Sequence, residues 1–275
     1  MWVDDPPSWS NNAEGLRATG LAEQRMNGLS MRRAFTLIEL LVSVAIIVLL
    51  TSIVLPSLAR ARGEGKRAVC LANLRQLGIA ATMYLDDNRD HFWRYYTDDD
   101  GGRRWWFGYE AGGPAVGKSN RPLDKTRGVL ARYLQSIDDG LQCPAFPYES
   151  GLYFPKFAAR SASYGYNLHL GPVSGPTRRR AEFGRRISEV FVFADGVHFD
   201  FNPGMNEGHY IAYTPNTRMA SGYGHFRHAR RAMVLYIDGH AEGQPLRGPA
   251  YTGNICGGPA GNLSTPAGGK EVYGL

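Results

Sequence analysis

Residues 34–56 read Ala34-Phe-Thr-Leu-Ile-Glu39-Leu-Leu-Val-Ser-Val-Ala-Ile-Ile-Val-Leu-Leu-Thr-Ser-Ile-Val-Leu-Pro56. At about 1.5 Å per helical residue, the run from Phe35 to Leu55 is long enough to cross a bilayer core of about 30 Å. Its only ionisable group is Glu39. A carboxylate at that depth costs about 2 kcal/mol or more unless it finds a partner. An ordinary single-span anchor gives such a residue no purpose.

Other features sit at fixed offsets from this run. Arg32 and Arg33 precede the small Ala34, Glu39 is the fifth residue counted from Phe35, and Pro56 is the twenty-second. The pattern resembles the processing site and N-terminal helix of type IV prepilins and type II secretion pseudopilins. The resemblance implies cleavage between Ala34 and Phe35 by a prepilin peptidase and N-methylation of Phe35. It also implies a contact between Glu39 and the new N-terminal amine of a neighbouring subunit, and a bend at Pro56. Most members carry Gly where this chain has Ala34. Ala is also small, so cleavage is still expected.

Residues 1–34 are then expected to be a leader and disordered cytoplasmic extension removed on processing, with Met26 or Met31 as alternative starts. The stretch is rich in Asn, Ser, Pro and Gly, has no apolar periodicity, and is not a secretory signal. Charge does not orient the span. Arg17, Arg25, Arg32 and Arg33 precede it, while Arg60, Arg62, Lys66 and Arg67 follow. The resemblance breaks the tie, implying a single-pass protein of the cytoplasmic (inner) membrane with its N-terminus in the cytoplasm and its C-terminal domain outside. The basic cluster then faces solvent or lipid headgroups.

The helix is expected to continue past the membrane to about Asp87. Cys70, Leu74, Leu77, Ala81 and Tyr84 recur at helical spacing on one face, with Arg75, Gln76 and Asp86 off it. Gly63 and Gly65, each costing about 1 kcal/mol relative to Ala, join Pro56 in marking a segment able to kink or melt. The division is therefore a transmembrane half over residues 35–56, a soluble helical half over 57–88, a globular part over 89–242, and a Gly- and Pro-rich, irregular tail over 243–275. The globular part is long enough for one modest core. A net charge of +6, mild and spread along the chain, argues against a nucleic-acid protein.

Inside the globular part, Val190–Ala194 and Ala232–Ile237 read as strands, each followed at once by Asp-Gly, at 195–196 and 238–239. That dipeptide after a β-rich run predicts a tight hairpin turn. The second strand is expected to alternate between core and surface. His228 stands nine residues before Asp238-Gly239, similar to the C-terminal His-x9-Asp-Gly segment of a large prepilin-like group. The fragments Cys70 with Asn73-Leu74-Arg75-Gln76-Leu77, Cys143-Pro144 and Tyr164-Gly165-Tyr166-Asn167 fit the same group. The resemblance thus extends over residues 34–242 and implies an α+β, pilin-like fold, a long helix packed on an antiparallel sheet.

Three chemical readings stay open. Asp195, His228, Asp238 and His240 are candidate ligands of calcium or another divalent cation; the alternative is that each closes its own turn. Cys70 and Cys143 are a candidate disulfide in a compartment that permits one, against two buried free thiols, with Cys256 in the tail. The aromatic run Phe92, Trp93, Tyr95, Tyr96, Trp105, Trp106, Phe107 and Tyr109 fits a core or subunit interface better than a sugar- or polymer-binding face. No nucleophile with its base and no phosphate loop stands out, so no enzyme is expected. The expected function is a structural subunit of a type II secretion pseudopilus or type IV pilus-like filament. Its partners would be the prepilin peptidase, other pilin-like subunits and membrane lipid. The alternative is a membrane-tethered binding module that does not polymerise.

Overall fold

The computed structural model describes residues 35–99, 101–112, 121–200, 204–211, 222–246, 252–255 and 258–261. Ala34 and the rest of the expected leader lie outside the described residues, as does Cys256. By its own contacts the chain divides after Thr51.

One helix, α1 (Leu37–Asp87), runs unbroken through Pro56, Gly63 and Gly65. Its start is fixed by a reciprocal cap. Thr36 Oγ1 accepts from the Glu39 backbone N–H at 3.2 Å, and the Glu39 carboxylate accepts from the Thr36 backbone N–H at 2.9 Å. This is the Ser/Thr-x-x-Glu capping box, which satisfies two donors that the helix cannot satisfy itself. Its end is made without glycine: Arg89 and Asp90 take φ of 53° and 69°, and Asp90 N–H donates back to Leu85 O at 2.8 Å. The side chains from Leu37 to Leu55 are apolar and exposed apart from Glu39, Ser43, Thr51 and Ser52, and α1 is long and apolar enough to cross a membrane.

From Cys70 onward the same helix turns one face into a core. Cys70, Asn73, Leu74, Leu77, Ala81 and Leu85 are buried at three- and four-residue steps, while Arg75, Gln76 and Asp86 are exposed. Gly78 lets this face sit against the sheet: a Cβ there would lie 3.0 Å from Leu235 Cδ1.

Two sheets follow. A three-stranded antiparallel sheet comprises β1 (Tyr96–Asp99), β2 (Gly102–Trp105) and β3 (Gly108–Ala111). The larger sheet is built from β4 (Tyr164–Asn167), β5 (Phe191–Asp200), β6 (Gly204–Glu207), β7 (Tyr210–Ile211), β8 (Gly222–His225), β9 (Arg231–Tyr236), β10 (Ala241–Pro245), β11 (Thr252–Ile255) and β12 (Gly258–Gly261). Its pairings are antiparallel except β4 with β7, so the sheet is mixed. The architecture is the α+β arrangement of a long N-terminal helix with β-sheets.

Strand β5 is the hub, pairing with β4, β6, β8 and β9. Asp195-Gly196 therefore lies inside a continuous strand and does not close a hairpin as its dipeptide predicts. The glycine serves close approach instead: a Cβ on Gly196 would fall 2.3 Å from Gly208 O and 2.9 Å from Gly165 N. Asp238-Gly239 does make its turn, with Gly239 at φ 89° and β9 paired to β10. Strand β9 does not alternate between core and surface, because the sheet is covered on both faces. Met233 and Leu235 join the main core, while Ala232, Val234 and Tyr236 join a second cluster with Phe191, Phe226 and Ile211. The tail, expected to be irregular after residue 242, instead contributes β10, β11 and β12, the last pairing with β8.

The hairpin turn that the sequence conceals is His228–Arg231. The two residues exchange both backbone hydrogen bonds at 3.0 Å around Ala229 and Arg230, whose φ values are 48° and 63°. A two-residue turn with both central residues at positive φ ordinarily takes Asn-Gly, and an L residue there is strained by about 1–2 kcal/mol. Replacing Arg230 with Gly should therefore raise the thermal midpoint, with a net gain of up to about 1 kcal/mol after the glycine's extra unfolded-state entropy. A lowered midpoint in a melt would contradict this reading of the turn.

Candidate functional site

The polar groups of the globular part converge on Asp195, placed mid-strand on β5 and fully buried. One carboxylate oxygen accepts from Arg227 Nη2 at 2.6 Å and the other from the Met233 backbone N–H at 2.8 Å. Arg227, its side chain equally buried, also donates to Ser163 O at 2.8 Å and Gly196 O at 3.2 Å. The ion pair thereby ties β5 to β9, to the turn before it, and to the chain entering β4. Ser163 extends the network, its hydroxyl accepting from the Cys143 backbone N–H at 2.6 Å.

His228 is the next member. Its Nε2 lies 3.4 Å from the Asp195 Oδ2 and 3.2 Å from Cys143 Sγ. Burial lowers its pKa more than the Asp195 charge raises it, which favours the neutral imidazole. Cys70 of α1 and Cys143 are joined by a disulfide, with their Cα atoms 5.3 Å apart. The sulfurs, the imidazole and the carboxylate all lie within 4.8 Å of one another.

The four residues proposed as one cation site are divided. Asp195 and His228 meet, but Asp238 and His240 pair with each other on the β9–β10 turn, Asp238 Oδ1 accepting from His240 N at 3.1 Å and lying 2.6 Å from Nδ1. The nine-residue spacing is the reason. It is spanned by β9, whose residues rise about 3.3 Å each, so His228 and Asp238 mark opposite ends of one strand. Calcium is also a poor match to the cluster that does form, since its ligands are oxygens and two of these are sulfurs.

The aromatic run is core. Phe92, Trp93, Tyr95, Trp105, Trp106, Phe107 and Tyr109 are buried, Trp93 stacks on Tyr166 and Phe193, and Trp106 Nε1 donates to His209 O at 3.0 Å. These ring faces are occupied by the protein itself. A hydroxyl and an imidazole do meet at Ser161 and His209, Oγ to Nε2 2.6 Å. Both are buried, and Glu207, the adjacent carboxylate, accepts from Ser161 N and Tyr153 OH. The arrangement supplies polar satisfaction in a core rather than a nucleophile open to a substrate.

Sequence reasoning missed Thr36 and Arg227. Thr36 was findable, since Thr-x-x-Glu directly before an apolar run is the capping-box signature. Nothing in the sequence marks Arg227 as the arginine that is buried.

A family model of the prokaryotic N-terminal methylation motif matches residues 29–55. The match covers Arg32, Arg33, Ala34, Phe35, Glu39 and the apolar run up to the residue before Pro56. No curated protein and no solved structure matches the chain. The chain carries a prepilin N-terminal methylation motif followed by a long apolar helix, as prepilin-type proteins do.

Two outcomes are expected for the globular part. Asp195→Asn leaves the Arg227 guanidinium buried without its counter-charge, and chemical denaturation should show a loss of about 3–5 kcal/mol; a loss below 1 kcal/mol would mean that the pair is solvated. Burial also holds His209 well below its ordinary value of 6.5. It is neutral in the fold and protonates once unfolded, so stability falls as pH drops below about 6.5, by up to about 1.4 kcal/mol per pH unit. His209→Gln should flatten that slope between pH 6.5 and 5, with terms from other groups, including the burial-raised Glu207, common to both proteins.

Proposed function

We propose that this chain is a structural, pilin-like subunit of a type II secretion pseudopilus or type IV pilus-like filament. It is cut between Ala34 and Phe35 by a prepilin peptidase, methylated at Phe35, and held in the inner membrane with its N-terminus in the cytoplasm. The observation that carries this reading is the methylation motif over residues 29–55 running directly into α1, whose first five turns are apolar and exposed around a lone carboxylate. For the tethered-module alternative, the aromatic run supplies little open ring surface, since seven of its eight aromatic residues are buried. No catalytic role is proposed, because the Ser161–His209 contact is enclosed.

Glu39 has two roles to fill in this reading. Within one chain it caps α1 through Thr36; in a filament it neutralises the Phe35 amine of a neighbour, since a carboxylate in lipid needs a cationic partner to offset desolvation. The two roles separate by substitution. Glu39→Gln keeps the reciprocal cap, for which Gln serves as well as Glu, but removes the charge; Glu39→Ala removes both. Co-expressed with peptidase and assembly machinery, both variants should insert and be cleaved, and both should lose the ladder of subunit cross-links expected for the wild type. A Gln variant that assembles normally while the Ala variant fails would assign Glu39 to capping alone. Normal assembly of both would take Glu39 out of assembly altogether, whereas a wild type that gives no ladder would favour the tethered module.

A further inference from the structure

Four side chains from four different parts of the chain meet at one spot: Cys70 from α1, Cys143 from the loop that follows the short helix Ile137–Gly140, Asp195 from β5, and His228 from the turn before β9. A disulfide uses only two of them. It needs neither an imidazole nor a carboxylate, and a disulfide sulfur is a weak acceptor for the Nε2 aimed at it from 3.2 Å. The set as a whole is that of a borderline-soft divalent cation, two thiolates, one imidazole nitrogen and one carboxylate oxygen.

We propose that the thiol form of the Cys70–Cys143 pair, with His228 and Asp195, is a closed tetrahedral site for a zinc-class divalent cation. The same spot then holds either a metal or a disulfide. This inference is independent of the filament reading, since it concerns only the globular part.

Geometry and charge both support it. Zinc–sulfur bonds of about 2.3 Å and zinc–nitrogen or –oxygen bonds of about 2.0–2.1 Å put the ligand atoms of a tetrahedron roughly 3.3–3.8 Å apart. Nε2 lies 3.2 Å from Cys143 Sγ and 3.4 Å from Asp195 Oδ2, and all four atoms fall within 4.8 Å, so side-chain rotation at the sulfurs completes the shell. Charge is conserved between the two forms. A disulfide is neutral, and so is a dication with two thiolates. In either state Asp195 is balanced by Arg227, and the buried cluster carries no net charge to desolvate. The outer shell is already in place: Arg227 and the Met233 N–H fix the carboxylate, as hydrogen-bonding partners fix metal ligands elsewhere. Cys143 lies beneath a groove lined by Lys66, Asn73, Gln142 and Tyr148, which gives the ion a route in.

The chemistry balances simply. Binding displaces one proton from each thiol to solvent and changes no oxidation state. Forming the disulfide instead removes two protons and two electrons, accepted by a disulfide-exchange oxidant, and leaves no thiolate to hold the ion. Metal occupancy thus belongs to the reduced chain and the disulfide to an oxidising compartment.

The test uses the full chain in detergent micelles, prepared either oxidised or reduced with a phosphine under metal-free conditions, and titrated with cobalt(II) as a spectroscopic stand-in. The reduced chain should take up one cobalt per chain, with sulfur-to-metal charge-transfer and tetrahedral ligand-field bands that zinc then abolishes; the oxidised chain should show neither. Cys70→Ser combined with Cys143→Ser should remove the charge-transfer bands, and His228→Ala should weaken binding at least tenfold. If the metal-free reduced chain unfolds, zinc added during refolding under reductant should restore its near-ultraviolet spectrum and raise its thermal midpoint with concentration. The proposal is overturned if the reduced chain shows no bands, if the charge-transfer bands survive in the double serine variant, if His228→Ala binds as tightly as the wild type, or if zinc leaves the reduced chain unfolded.

Discussion

The globular part is organised around a charge that has no access to water. Asp195 sits in the middle of the strand with the most pairing partners, and among the described residues its charge is neutralised by Arg227. Because a buried unpaired charge is so costly, this contact requires that the turn before β9, the start of β4 and the centre of β5 be correctly placed together. An apolar pair of the same volume would hold the layers as firmly but would tolerate sliding. The ion pair sets register, and the glycine contacts among Gly165, Gly196 and Gly208 allow the backbones to come close enough for it to form.

The helix was the most legible part of the sequence. Apolar composition gave the span, the three-four spacing from Cys70 gave the buried face, and both follow from a local repeat that does not depend on distant partners. The sheet was legible in outline only. Asp-Gly at 238–239 is a turn because nothing overrides its propensity, whereas the same dipeptide at 195–196 is overridden by pairing on β5 and by the buried ion pair. The true turn at 229–230 carries Ala and Arg, residues with no turn chemistry, held at positive φ by the strands on either side. Strands β11 and β12 were missed because Gly- and Pro-rich sequence reads as irregular; they pair with each other, and only β12 reaches back to the distant β8.

The same contrast applies to the site. His228 and the cysteines were identified as residue types, but their meeting with Asp195 depends on topology that sequence spacing does not express. The separation of His228 from Asp238, by contrast, follows from an elementary length: nine intervening residues in extended chain put a strand between them. Glu39 shows how a residue singled out for one role acquires a second. Its place three residues after Thr36 makes it a helix cap in an isolated chain, which stabilises the span before any neighbour is present.

The covalent link between Cys70 and Cys143 has a mechanical consequence. A tension applied along α1 from its N-terminal end enters the globular part at Cys70, and from there part of it passes through a bond to the loop at Cys143, in parallel with the noncovalent packing of residues 70–87. The helix beyond Cys70 is thereby shielded from being peeled off the sheet turn by turn. The exposed helical turns before it, with Pro56, Gly63 and Gly65, are left as the element that yields under strain. The chain is thus divided into an extensible tether and a stiff anchor, with the boundary set by one sulfur atom.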